Sequence, residues 1–347
     1  MANSHLYQKK LKRLLMEPET TLGTWEPFDA NTPIIPAYDI SLARDRGTRV
    51  IDRAGVMDGF AGAMCGVPGA FGSTLTFTTE LHDVDGDADP YWVKLLYGSG
   101  HEGLTSGSTV TIVPSTKKIS NYSAGTPCGI SFGLVQLIDG VDDYVQTMTG
   151  STGVMELALA AGERAAMNYT FVGTNDGGFL DVTQASWSAS GSLETGVACS
   201  PFVVKGLTIT LTDNTSTSSL TPVNLSTLTL TSNAETPDVL DPTRTDGFDI
   251  SPVLFNSAPS VSFTIGATGE TNDYFWQRLA DGGTFEIVAT MTSAGTGNTI
   301  VLTIPKLQYT DVSFGENAGY ETYEITANCV RDPGSSGPPY SIAWTFS

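Results

Sequence analysis

Leu75-Thr76-Phe77-Thr78-Thr79-Glu80-Leu81, an acidic turn, and then Asp89-Pro90-Tyr91-Trp92-Val93-Lys94-Leu95-Leu96 form the stretch on which the fold turns. Alternating β-formers predict a strand, and the segment opened by Asp-Pro predicts a short helix. A second copy of the pattern lies near the C-terminus: Val261-Ser262-Phe263-Thr264-Ile265, a Gly-rich turn, and Asp273-Tyr274-Phe275-Trp276-Gln277-Arg278-Leu279-Ala280. Setting Trp92 on Trp276 aligns Asp89 with Asp273, Lys94 with Arg278 and Leu95 with Leu279. In each copy the Asp is expected to cap the helix, accepting its first free N–H groups. Pro90 suits the first helical position, and the indole and the leucine three residues later anchor one face on a sheet. One chain therefore carries two similar β-rich units.

Working outward, Ala37–Leu42, Ser108–Pro114, Gly129–Ile138 and Val141–Met148 read as strands, the last two joined by Asp139-Gly140, a strong hairpin signal. Val154–Ala161 and Ala165–Val172 pair around Gly162-Glu163, and the second half echoes them with Ile300–Ile304, Tyr309–Phe314, a turn at Gly315-Glu316, and Tyr320–Ala327. The first copy is longer between its Trp and its Gly-Glu turn, so it carries an insertion. Ala43–Gly72 reads as a long connection with little secondary structure, the kind that usually serves function or partner contact. Leu6–Met16 is basic with apolar Leu6, Leu11, Leu14 and Leu15, an amphipathic helix in an N-terminal arm. Tyr340–Phe346 reads as an edge strand. The expected division is an arm at 1–36, a first unit at 37–180, a polar linker at 181–200 and a second unit at 201–347.

The 347 residues carry a formal net charge of −20. Residues 1–53 hold 8 of the 17 basic side chains (Lys9, Lys10, Lys12, Arg13, Arg44, Arg46, Arg49, Arg53) and 7 of the 37 acidic ones, leaving a body with 9 basic and 30 acidic groups. Such a body does not grip nucleic acid, which requires clustered Lys and Arg on the phosphates. No apolar run reaches membrane-spanning length, and the first 30 residues lack a signal-peptide core. Cys65, Cys128, Cys199 and Cys329 make no CxxC pair, and His5, His82 and His101 have no zinc or dyad partner pattern. These thiols read as buried or incidental ones of a reducing compartment. Asp83-Val84-Asp85-Gly86-Asp87-Ala88-Asp89 resembles a calcium loop but puts Ala88 and Lys94 where an EF-hand needs Gly and Glu, so it reads as an acidic, solvated turn. No nucleophile elbow, P-loop or dinucleotide fingerprint is present. The reading is of a protein without catalysis, cofactor or metal.

Several places in order then resemble the tail tube (major tail) proteins of long-tailed bacteriophages. They are Leu14–Thr24 with Glu17 and Leu22-Gly23-Thr24, the strand–turn–Trp helix at Leu75–Leu96, the hairpin Phe132–Gly150 turning at Asp139-Gly140, and Val154–Glu163 into Asn168–Gly173. The resemblance implies a mainly β chain of two tandem tail-tube-like β-sandwich or barrel units, each with a short flanking α-helix. It implies a structural virion protein of the phage tail, made in the host bacterial cytoplasm. Subunits would join edge to edge into rings, and the rings would stack into the conduit for genome ejection. With two units per chain, a homotrimer gives a pseudo-sixfold ring, a hexamer being the alternative. Partners are then the chain itself, adjacent rings and other tail proteins, with DNA a non-sticking passenger. Lys9, Lys10, Arg13, Arg44, Arg46, Arg49 and Arg53 are candidate contacts between subunits or rings. Asp139, Asp142 and Asp143 are candidate lumen acids, equally readable as ordinary turn residues. The alternative from another class is a carbohydrate-binding or adhesin-like β-sandwich protein of a tail fibre or cell surface, suited by Ser/Thr-rich strands.

Overall fold

The computed structural model describes residues 12–26, 28, 32, 34–46, 50–57, 60–68, 72–83, 89–138, 141–174, 201–214, 219–220, 225–237, 239–240, 243, 253–254, 258–267, 269–293, 297–331 and 337–346. Of these, 44–46, 50–57, 60–68, 136–138, 141–145, 219–220 and 269–274 are described by backbone alone. The first half runs β1 (Lys12–Pro18), β2 (Ile34–Ile35), β3 (Ala37–Arg46), β4 (Val50–Met57), β5 (Phe60–Pro68), β6 (Gly72–Glu80), α1 (Tyr91–Gly98), β7 (His101–Ser106), β8 (Thr109–Pro114), β9 (Ile130–Ile138), β10 (Val141–Ala160) and β11 (Ala166–Thr174). The second runs β12 (Thr208–Asp213), β13 (Ser219–Leu220), β14 (Thr227–Thr231), β15 (Ser260–Gly266), α2 (Gly269–Asp281), β16 (Thr284–Thr292), β17 (Thr299–Asn317), β18 (Tyr320–Cys329) and β19 (Ser341–Thr345). The molecule is mainly β, as the composition implies, and its ladders are all antiparallel.

One pattern of pairing occurs twice. In the first half the strands lie in the order β1-β9-β10-β11-β6-β3, with β2 on the other side of β1. In the second half the order is β12-β16-β17-β18-β15-β14, with β13 beside β12. The helix falls at the same place in both, after β6 and after β15. In both, one long strand serves two ladders, β10 with β9 and then β11, β17 with β16 and then β18, with register irregularities along the way. Such irregularities bend a strand so that it passes from one layer to the next. Among the described residues the β4–β5 hairpin and the β7–β8 hairpin have no counterpart in the second half; the latter lies in the insertion expected between Trp92 and the Gly-Glu turn.

The halves are joined at two places. β14 pairs with the second part of β10, and β19 bridges β17 to β8. The strands wrap a common core in the manner of a barrel, yet the ladders themselves trace no closed circuit among the described residues: β3 ends the sheet on one side and the second part of β17 on the other. Buried residues of both halves form one continuous cluster.

Several expectations are corrected. Residues 12–16 of the supposed amphipathic helix are strand β1, sandwiched between β9 and β2; Leu6–Leu11 lie outside the described residues. The arm is therefore part of the sheet from Lys12 onward. The supposed long connection Ala43–Gly72 contains the β4–β5 hairpin, Met57 opposite Phe60. Tyr340–Phe346 supplies no edge, since β19 is paired on both sides. Gly315-Glu316 lies within β17, and the turn comes at Ala318-Gly319, both with positive φ. The linker 181–200 lies outside the described residues.

Candidate assembly surfaces

Helix α1 is almost wholly buried, with Trp92, Leu95 and Tyr91 at 0% exposure. Its cap is Pro90, whose carbonyl accepts from the N–H groups of Val93 and Lys94 at 2.9 and 3.2 Å. The expectation that Asp89 caps the helix is thus corrected. Asp89 stands one residue too early, and its Oδ1 accepts the Tyr97 hydroxyl at 2.7 Å. Trp92 Nε1–H donates to the His82 carbonyl at 3.2 Å, and its ring meets Trp344 of β19 edge-on at 5.6 Å. Tyr91 Oη–H donates to the Glu80 carbonyl at 2.5 Å, tying the helix to the end of β6.

Helix α2 sits differently. Phe275 is its buried anchor, against Tyr309 and Tyr323. Trp276, the expected anchor, is 38% exposed, and Leu279 is half-buried against the core. The reason is local: α1 is roofed by Trp344 of β19, whereas Trp276 rests only on the rim aromatic Phe314, at 5.9 Å between centroids. Phe314 and Tyr320 are themselves exposed. Arg278 pairs with the buried Asp213 of β12, pinning α2 to the sheet. Of Asp273 only the backbone is described, within α2.

Buried polar groups hold the frame. Glu19, fully buried, accepts from the backbone N–H of Gly23 and of Gly150, both at 2.6 Å, and from Ser131 Oγ at 2.9 Å. Burial raises its pKa, against the lowering by those donors. The acid turn is not wholly solvated: Asp83 is buried and accepts from Ser293 Oγ and Asn298 Nδ2 of the second half. Residues 84–88 lie outside the described set. His101 Nδ1–H donates to the Leu96 carbonyl at 3.1 Å, leaving Nε2 to accept the Tyr340 hydroxyl at 2.7 Å. Complete burial lowers its pKa to about 4, and burial beside Arg164 lowers that of His82 to about 4. The thiols of Cys128 and Cys329 are buried and pushed up to about 12 by desolvation. Among the described residues no three His, Cys, Asp or Glu side chains are grouped to hold a metal ion, and no helix is long and apolar enough to cross a membrane.

The candidate contact residues are scattered. Arg13 lies in β1 opposite Val135; Arg44 and Arg46 lie in β3 and Arg53 in β4, described by backbone only. Lys9, Lys10 and Arg49 lie outside the described residues. Of the candidate lumen acids, Asp142 stands opposite Leu137 on β10, Asp143 falls at the adjoining irregularity, and Asp139 lies outside the described residues. Sequence reasoning missed Lys12, which with Ala37–Leu42 lines an open cleft of about 600 Å³ along β3. It also missed Phe314 as an exposed apolar residue at the sheet edge. Neither was legible without the strand order, since exposure at a sheet edge depends on which strand lacks a neighbour. Comparison with models of known protein families and with curated proteins gives no match.

Proposed function

We propose that the two halves are copies of one β unit and that the chain is a structural, self-assembling subunit of a phage tail tube, without catalysis. The observation that carries this reading is the sheet order met twice, β1-β9-β10-β11-β6-β3 and β12-β16-β17-β18-β15-β14, with a helix at the same place in each. A chain that already joins two such units sheet to sheet, and among the described residues leaves the outer sides of β3 and of the second part of β17 without a ladder, is suited to head-to-tail growth. The acidic body supports the conduit: a wall of carboxylates repels phosphates and lets DNA slide past. Three chains then supply six units to a ring, and the β4–β5 hairpin is suited to contact the neighbouring ring. Electron microscopy of the concentrated, purified protein tests this: rings or stacked tubes are expected. A compact monomer at every concentration contradicts the reading.

A further inference from the structure

We infer that the outer edge of β3 and the outer edge of the second part of β17 are the two sides of one junction between copies of this chain, and that it repeats the pairing of β14 with β10 inside the chain. The internal junction is complete. Leu157 lies opposite Leu230 and Leu159 opposite Leu228, and all four leucines are buried. The repeated ladders say which residues stand at the same places elsewhere. Ala166 opposite Glu80 corresponds to Thr322 opposite Gly266. That sets Phe314, opposite Tyr323, where Leu157 stands opposite Met167. It also sets Leu42, opposite Leu75, where Leu230 stands opposite Val261.

Both counterparts lack their cover. Leu157 is 1% exposed, but Phe314 is 53% exposed. Leu228 and Leu230 are buried, but Ile40 and Leu42 are only half-buried. Among the described residues no ladder lies on the outer side of β3 or of Tyr309–Asn317. Each edge thus exposes apolar side chains where the internal junction hides them, and a second copy supplies the missing strand to each. An unpaired edge of this kind is a template for another strand. The equivalent register puts Phe314 opposite Leu42, Gly315 opposite Ser41 and Asn317 opposite Tyr38. Glu316 then falls opposite the irregularity at Asp39–Ile40, in the cleft that Lys12 also lines. The contact is heterologous, one edge of each kind per copy, and closes into a ring when its rotation divides the circle.

The inference rests on the proposed self-assembly only for its choice of a second copy as the occupant. Two variants test it, Phe314→Glu and Leu42→Glu, whose like charges also repel wherever the two altered edges meet, with circular dichroism to check the fold and sedimentation velocity to read size. Each alone is expected to stay monomeric under conditions where the wild type assembles, weakening association more than about tenfold. An equimolar mixture is expected to stop at dimers, because each variant keeps the edge the other has lost. Variants that assemble as the wild type does, or a folded mixture that stays monomeric, overturn the junction. If either variant fails to fold, a mixture of Leu42→Cys and Phe314→Cys chains decides: an intermolecular disulfide between these positions supports the junction and its absence overturns it. Wild-type rings without that cross-link refute the junction and leave the tube reading standing, while a wild type that never associates refutes both.

Discussion

Trp92 and Trp276 match each other in the sequence, yet replacing them with alanine should have unequal consequences. Trp92 is fully buried, edge-on to Trp344 and hydrogen-bonded to the His82 carbonyl. Its removal forfeits the transfer energy of up to about 250 Å² of hidden surface and leaves a cavity enclosed in the core. It also strips a buried carbonyl of its donor. The expected cost is about 4–5 kcal/mol, near the top of the range for large aromatic truncations. Trp276 has 38% of its surface in water already, and its vacancy would open to solvent. At about 25 cal/mol per Å², the roughly 95 Å² it already leaves in water makes its loss about 2 kcal/mol cheaper than that of Trp92. Urea unfolding of both variants in the Leu42→Glu background, where assembly does not contribute, measures the difference directly. In the wild-type background the order should reverse for assembly, with Trp276→Ala impairing it through Phe314 while folded Trp92→Ala chains still associate. Equal costs for the two substitutions in the monomer would refute the reasoning.

Two further outcomes follow from the buried polar groups. His82 and His101 titrate near 6.5 when unfolded but at about 4 in the folded chain. Their contribution is therefore whole above pH 6.5 and is lost as the pH falls toward 4, by roughly 3 kcal/mol for each; urea midpoints compared between pH 7 and pH 4.5 should show most of the loss, and His101→Gln should remove about half of it. Arg278→Met leaves the fully buried Asp213 carboxylate without its guanidinium and should destabilise the chain by about 3 kcal/mol, with Asp213→Asn in the same chain restoring part of the loss in a double-mutant cycle.

The mainly β character and the strand–helix segments were legible because they rest on local signals: alternating strand residues, a Trp three places before a Leu, and an Asp-Gly pair between β-formers. Those signals located the two strand–helix segments and the β9–β10 hairpin, whose last described pair is Val141 opposite Ile138. Lys12–Pro18 misled because β1 lies between two strands and over the core, so Leu14, Leu15 and Met16 are buried in succession and a period of two is hidden. Ala43–Gly72 misled because Gly and Ala fill β5, leaving little side-chain alternation to read. The cap at Pro90 and the turn at Ala318-Gly319 were shifted by one and by a few residues, the usual error when boundaries depend on backbone angles alone. Which strands end the sheet among the described residues was not legible at all. Whether Phe314 is core or rim depends on the absence of a strand beside β17, a property of the strand order.

The central claim, that one β unit occurs twice and that its open edges are completed by other copies, is tested most directly by an axial cryo-electron microscopy reconstruction of the assembled particle. The account predicts six closely similar units per ring from three chains, with the sheet running from β17 of one chain into β3 of the next as it runs from β10 into β14 within each. A ring in which β3 faces solvent, or in which the two halves of the chain occupy unlike positions, contradicts it.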